Sequence, residues 1–203
     1  MKTQSATAVR GRRRKFSADS ALAAALRVFW SKGYEGASVT DLTEAMGIMR
    51  PSLYAAFGNK EALFRKALDL YEQEKLGYVA AALEAPSARG VAERLLNGAL
   101  KMQTAGRDPK GCFSVISSVA CGAEPASIRA EVLARRALSD AALCKRMAQA
   151  KADGDFPESI EPDGLAHYLK AVLHGLCIRA GSGASAADLR VMVDLTLELW
   201  PGR

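Results

Sequence analysis

Glycines at positions 33, 47 and 58 cut the first part of this chain into three short amphipathic segments, a pattern that few folds accommodate. Leu22, Ala25, Leu26 and Phe29 recur at helical spacing before Gly33 and predict a helix from about Ser17 to Lys32. Ser38 followed by Asp41 resembles a capping box with Asp in the Glu/Gln place. Val39, Leu42 and Met46 then mark the inner face of a second helix that ends at Gly47. A third helix runs from Arg50 to Phe57 and closes at Gly58. A long fourth helix begins near Lys60 and extends to about Leu83. Breaks at 84–90, 104–111, 122–127, 152–164 and 180–188 leave helical segments near 88–104, 111–121, 127–152, 163–180 and 186–199. Alternating β-branched residues are scarce, so the expectation is an all-α chain of about nine helices.

At 203 residues and 49% hydrophobic content the chain can bury a core, and no apolar run approaches the roughly 18 residues a membrane helix needs. The basic N-terminus is not followed by the apolar segment of a secretory signal, which predicts a cytoplasmic protein. Cys112, Cys121, Cys144 and Cys177 lack CxxC spacing and are expected to be reduced thiols. The net charge of +6 is unevenly placed: residues 1–60 hold ten Lys/Arg against four Asp/Glu, while the rest is balanced. A basic run such as Arg10–Lys15 is by itself usually a solvated tail. Coupled to three short helices, it reads as the electrostatic footprint of a polyanion partner.

The turn after Met46 has the length of a helix-turn-helix, with Arg50–Phe57 as the recognition helix. Such a helix points its N-terminal residues at base edges and its positive dipole end at phosphates. Pro51 is tolerated there because its missing N–H would be unpaired anyway. Arg50 can donate twice to guanine, Ser52 can bond a base or phosphate, and Ala55 permits close approach. Tyr54 offers a hydroxyl to a phosphate oxygen, and Lys60 grips another. Ser38 and Thr40 at the start of the second helix, and Arg12, Arg13 and Arg14 in the basic arm, complete the expected DNA-facing set. Leu53 and Phe57 are core.

Residues 14–64 resemble the DNA-binding domain of TetR-family transcriptional regulators, on Ala24/Ala25, Phe29, Gly33-Tyr34, Ser38-Val39, Asp41-Leu42, Ala45, Gly47-Ile48, Leu53-Tyr54, Phe57, Lys60 and Leu63. Met49 departs from the small polar cap usual there, a loss of typically about 1 kcal/mol. The resemblance implies a reader at 1–60 and a ligand-binding, dimerising domain at 61–203. It implies a homodimer that binds a palindromic operator, as a repressor or less often an activator, and is released by a small molecule. Dimers would form through the last two helices, whose apolar faces are Leu165, Leu169, Val172, Leu173 and Leu176, and Leu189, Met192, Val193, Leu197 and Trp200. Either stripe could equally be intramolecular core. Ligand-lining candidates are Tyr71, Tyr78, Met102, Phe113, Ile116, Leu138 and His174, with hydroxyls at Ser114, Ser117 and Ser118. They suit a small, mostly apolar effector.

Rival readings rest on less. His167 and His174 lie two helical turns apart, about 10 Å, too far for one ion. His174 and Cys177 share a face but lack a third ligand, so no metal and no cofactor is expected. Thiol sensing by Cys112 or Cys121 stays open. No phosphate-cradling loop, GxSxG or HExxH supports an enzyme. A helical ligand carrier without DNA function is disfavoured by the charge split.

Overall fold

The computed structural model describes residues 17–106, 108–119 and 126–202. The basic arm with Arg12, Arg13 and Arg14, and also Cys121, lie outside the described residues. Among the described residues the fold is all-α, with ten helices. They are α1 (Ala18–Gly36), α2 (Val39–Met46), α3 (Arg50–Phe57), α4 (Lys60–Lys75), α5 (Gly77–Leu83), α6 (Ala88–Thr104), α7 (Phe113–Val119), α8 (Ala126–Ala152), α9 (Pro162–Gly181) and α10 (Ala186–Glu198). None of these helices is long and apolar enough to cross a membrane.

Local chemistry sets the first four helices. Gly33 interrupts α1 at φ 70°, ψ 179°, a conformation open to glycine, and the chain turns there so that Tyr34 packs inward. The Ser38 hydroxyl accepts from the Asp41 amide at 3.0 Å while the Asp41 carboxylate accepts from the Ser38 amide at 2.9 Å, a complete capping box opening α2. Asn59 caps α4 by accepting from the Ala62 amide at 2.8 Å.

The hydrogen bond from Lys32 Nζ, at 2.6 Å, is the largest cause holding the Asp41 carboxyl down at about 2, followed by the Ser38 bonds. Because the folded value lies below the ordinary 3.8, the cap contributes stability above that range and loses it as pH falls toward 2. A carboxyl-carbon NMR titration should therefore place the Asp41 midpoint near 2; a midpoint near 3.8 would contradict the cap–lysine arrangement.

The expected fourth helix is two. α4 ends at Lys75, its cap residue Leu76 has a non-helical φ −103°, ψ 6°, and α5 starts at Gly77. The break redirects the chain so that the Tyr78 ring lies against Gly98 of α6, where an added Cβ would overlap it.

Two apolar cores result. The first joins α1–α4 with Phe113 of α7 and Ile128 and Val132 of α8. Its centre is a chain of edge-to-face rings: Phe29 on Phe64, Phe64 on Phe113, Phe113 on Tyr71 and Tyr71 on Trp30, with centroids 4.8–5.6 Å apart. The second core unites α5, α6, α8, α9 and α10. An ion network crosses from α4 to α8. Arg135 meets Glu131, Asp69 and Glu72 at 2.7–2.9 Å, and Arg65 meets Glu131 at 2.7 Å and Glu61 at 3.2 Å.

Candidate nucleic-acid interface and effector cavity

Leu53 and Phe57 are buried and hold α3 against the first core, which turns Arg50, Pro51, Ser52, Tyr54 and Ala55 outward. The row is continuous because these positions occupy the opposite side of a two-turn helix. Met49 occupies the N-cap position with no side-chain cap and is 73% exposed beside the row. Arg50 Nη2 donates to Thr40 Oγ1 at 3.1 Å, so Thr40 of α2 steers the guanidinium at the leading end of α3. Ser38 lies next to it, but its hydroxyl is committed to the capping box.

Removing Arg50 as Ala should weaken cognate DNA by about 1–3 kcal/mol and relax preference at one base pair per half-site. Equal loss on all sequences, in competition binding, would reduce Arg50 to a phosphate contact. Lys60, the first residue of α4, is half-buried with Nζ 4.3 Å from the Tyr34 ring centroid. Lys60→Ala should weaken all duplexes alike and lower the salt slope by about one. An unchanged slope removes Lys60 from the interface.

Further along the chain, α5, α6, α8 and α9 enclose a cavity of about 530 Å3. Tyr78, Val79, Leu83, Leu95, Met102 and Leu173 form its apolar wall. Leu138, 73% exposed, marks a rim open to solvent. Glu72, Arg135, Arg136, Lys170 and His174 add a charged and polar side, and Ser114 adds a hydroxyl. Burial pushes the His174 imidazole below its ordinary value and keeps it neutral near pH 7. Burial likewise pushes the Tyr78 hydroxyl up, so it remains a donor. Cys112 and Cys177 face the cavity from the α7 entry and from α9.

Of the residues expected to line a ligand site, Tyr78, Met102, Leu138 and His174 are thus brought together. Tyr71 and Phe113 are instead fully buried in the aromatic chain of the first core, and Ile116 packs half-buried against it. Ser117 is buried away from the cavity, and the Ser118 side chain lies outside the described residues. Sequence reasoning missed Glu72, Arg135, Arg136 and Lys170, whose charge reads as solvent-facing until α4 and α8 are seen side by side. Among the described residues no cluster of three or more His, Cys, Asp or Glu is arranged to hold a metal.

The two ends are physically linked. α4 carries Lys60 at the reader end and Glu72 at the cavity, with Leu76 after its last turn also lining the cavity, roughly 24 Å along the helix. Trp30 Nε1 of α1 donates to the Gly111 carbonyl at 3.0 Å, one residue before the cavity thiol Cys112.

The apolar faces of the last two helices divide into an inner and an outer set. Leu165, Leu169, Leu176, Leu189, Val193 and Trp200 are buried within the protomer's own second core. Val172, Leu173 and Leu197 pack half-buried against it, and Met192 is half-buried. Outside stand Tyr168 and Ile178 on α9, and Val191, Leu195 and Leu199 on α10.

Comparison with known proteins agrees with this geometry. Residues 21–67 match the family model "Bacterial regulatory proteins, tetR family", and residues 92–193 match "Tetracyclin repressor-like, C-terminal domain". The HTH-type transcriptional repressor ComR of Escherichia coli is 33% identical over 201 residues, covering 98% of this chain and 96% of ComR. The chain belongs to the TetR family. Among solved TetR-family structures, a cysteine mutant of the regulator CifR, complexed with 26 bp double-strand operator DNA, is 39% identical with a TM-score of 0.84. That match covers 94% of this chain and all of CifR. A TetR regulator from Rhodococcus sp. RHA1 is 36% identical with a TM-score of 0.63, covering 91% of this chain and all of that one. Family membership makes the chain a helix-turn-helix transcriptional regulator, in a family of regulators rather than enzymes.

Proposed function

We propose that this protein is a repressor that binds a palindromic operator as a homodimer and leaves it when a small, mostly apolar molecule fills the cavity. The observation that carries the reading is the outward row Arg50, Ser52, Tyr54 and Ala55 on a helix pinned from behind by Leu53 and Phe57. Support comes from ComR, which is a repressor, and from CifR, which is complexed with operator DNA.

Most of the protomer's inward stripes are buried in its own core, with Val172, Leu173, Met192 and Leu197 half-buried, so the dimer face is assigned to the outer set. On α9, Gly164, Tyr168, Ala171, Gly175 and Ile178 follow one another at three- and four-residue intervals and are exposed apart from Gly175, which is half-exposed. Small residues there allow close helix approach, and Val191, Leu195 and Leu199 of α10 extend the patch. Two copies related by a two-fold axis would form a four-helix contact and present two α3 helices to successive half-sites.

Release follows from the connections already described. A ligand against Glu72, Leu76 and Leu138 bears on both α4 and the α8 side of its ion network. A small tilt of α4 changes the spacing of the paired α3 helices, which must match roughly one DNA turn. Reader residues 1–60 and sensor residues 61–203 therefore share α4 as their moving part. Sedimentation of the protein with a duplex carrying its binding sequence tests the reading. Two protomers per duplex are expected; a single protomer per duplex removes the dimeric reader.

A further inference from the structure

The geometry points to a dithiol site in this cavity: Cys112 and Cys177 close into a disulfide when an organic hydroperoxide enters, and the closure reports to the reader through Gly111 and Trp30. It goes beyond non-covalent release and uses two side chains that release does not need.

Four observations carry it. Cys112 directly precedes α7, Cys177 sits on α9, and both line the cavity near enough to perturb each other's thiol. Their backbones are close as well: a Cβ placed on Gly111 would stand 3.6 Å from the Cys177 carbonyl oxygen. Cys112 Sγ has the Ser114 hydroxyl at 3.1 Å and the Tyr71 hydroxyl at 3.5 Å. Gln103 Nε2 lies 3.6 Å from Cys177 Sγ. Ser114 and Tyr71 thus flank the Cys112 sulfur, while Gln103 reaches the Cys177 sulfur. The bond from Cys177 is the largest cause lowering the Cys112 thiol well below its usual value, with Ser114 and Tyr71 adding to it, and the same contact pushes Cys177 up. Cys112 is thus the nucleophile and Cys177 the resolving thiol.

The chemistry balances without further groups. Cys112 gives up its proton and its thiolate attacks the terminal oxygen of ROOH; an S–O bond forms, the O–O bond breaks, and the departing alkoxide takes the proton released by Cys112 to become ROH. Cys177 then gives up its proton, its sulfur attacks Cys112 Sγ, and hydroxide leaves as water with that proton. The two sulfurs lose two electrons and the peroxide bond gains them. An alkyl or aryl R group matches the apolar wall of Tyr78, Leu95, Met102 and Leu173, which hydrogen peroxide could not use.

Closing to the roughly 2.05 Å of a disulfide draws Cys112 toward α9. The adjacent Gly111 carbonyl accepts from Trp30 Nε1 at 3.0 Å and Gln103 Nε2 at 3.2 Å, and the Gly111 amide donates to Gln103 Oε1 at 2.7 Å. Gln103 therefore touches both the thiol and the carbonyl that anchors α1, so the disulfide disturbs the seat of Trp30 in the reader.

The experiment uses the full chain with Cys121→Ser and Cys144→Ser, treated with cumene hydroperoxide or hydrogen peroxide. The expected product is lighter by two hydrogens, links residues 112 and 177 on peptide mapping, and reverts with dithiothreitol. Cumene hydroperoxide should form it faster than hydrogen peroxide. Cys177→Ala should stop at a Cys112 sulfenic acid trapped by dimedone, which keeps the proposal testable if Cys112→Ser folds poorly. In a further Trp200→Phe background, Trp30 emission should change with oxidation, and operator binding should weaken about 5- to 150-fold. Retention of both thiols, oxidation of Cys112 without linkage, or faster reaction with hydrogen peroxide overturns the site. A disulfide that leaves Trp30 emission and operator binding unchanged overturns the switch. Mass and emission need no DNA, so a reduced protein that binds no duplex refutes the operator reading alone.

Discussion

Leu195→Asp is expected to yield a folded protein that sediments as a monomer and has lost tight operator binding. Leu195 is 53% exposed in the protomer, so a charge there costs the protomer's own core little. In the proposed dimer the same side chain would face the outer apolar patch of a second copy, and the introduced carboxylates would be buried there without partners. Binding both half-sites through one dimer makes the second contact intramolecular, an advantage of about 10²- to 10⁴-fold that a monomer forfeits. Sedimentation and duplex binding measured together check this. A variant that stays dimeric, or a monomer that binds as tightly as the parent, would place the interface elsewhere. Leu169 gives the contrast: fully buried inside the protomer, its truncation to Ala should lower stability by about 2–5 kcal/mol rather than split a dimer.

Phe64→Ala should destabilise the chain by about 3–5 kcal/mol in denaturant unfolding, because its ring is 1% exposed and its removal leaves a cavity in the core. Its ring meets Phe29 at 5.2 Å, Tyr34 at 5.3 Å and Phe113 at 5.2 Å, each edge to face. It thereby joins three pieces of the molecule: the reader helix α1, the connecting helix α4 and the cavity-side helix α7. Losing it should also blunt the effect of any cavity ligand on DNA affinity. A loss below about 1 kcal/mol would mean that the aromatic chain is not the joint between the two cores.

These two residues show what the sequence could and could not disclose. α2, α3 and the starts of α1 and α4 were legible because their determinants are local: Ser38 with Asp41, and glycines where φ is positive. The break at Leu76 was hidden because the helical pattern runs through it and the deciding contact, Tyr78 on Gly98, spans twenty residues. On α9 and α10 the sequence shows apolar side chains on more than one face but cannot say which packs at home. The leucine-rich stripe of Leu165, Leu169 and Leu176 went inward, and the smaller, mixed stripe stayed outside. Tyr71 and Tyr78 are chemically alike, yet Trp30 at 4.8 Å draws Tyr71 into the core while Tyr78 faces the cavity. The proposed pairing of Cys112 with Cys177 joins residues that only the packing of residues 110–112 against α9 brings together.

Selection from a random duplex library at roughly physiological salt, run in parallel on the parent and on Arg50→Ala, tests base reading by α3 most directly. Enrichment of a palindrome with fixed half-site spacing by the parent, with one position per half-site relaxed by Arg50→Ala, is the predicted result. No enrichment by the parent, or an identical pool from both proteins, would contradict it.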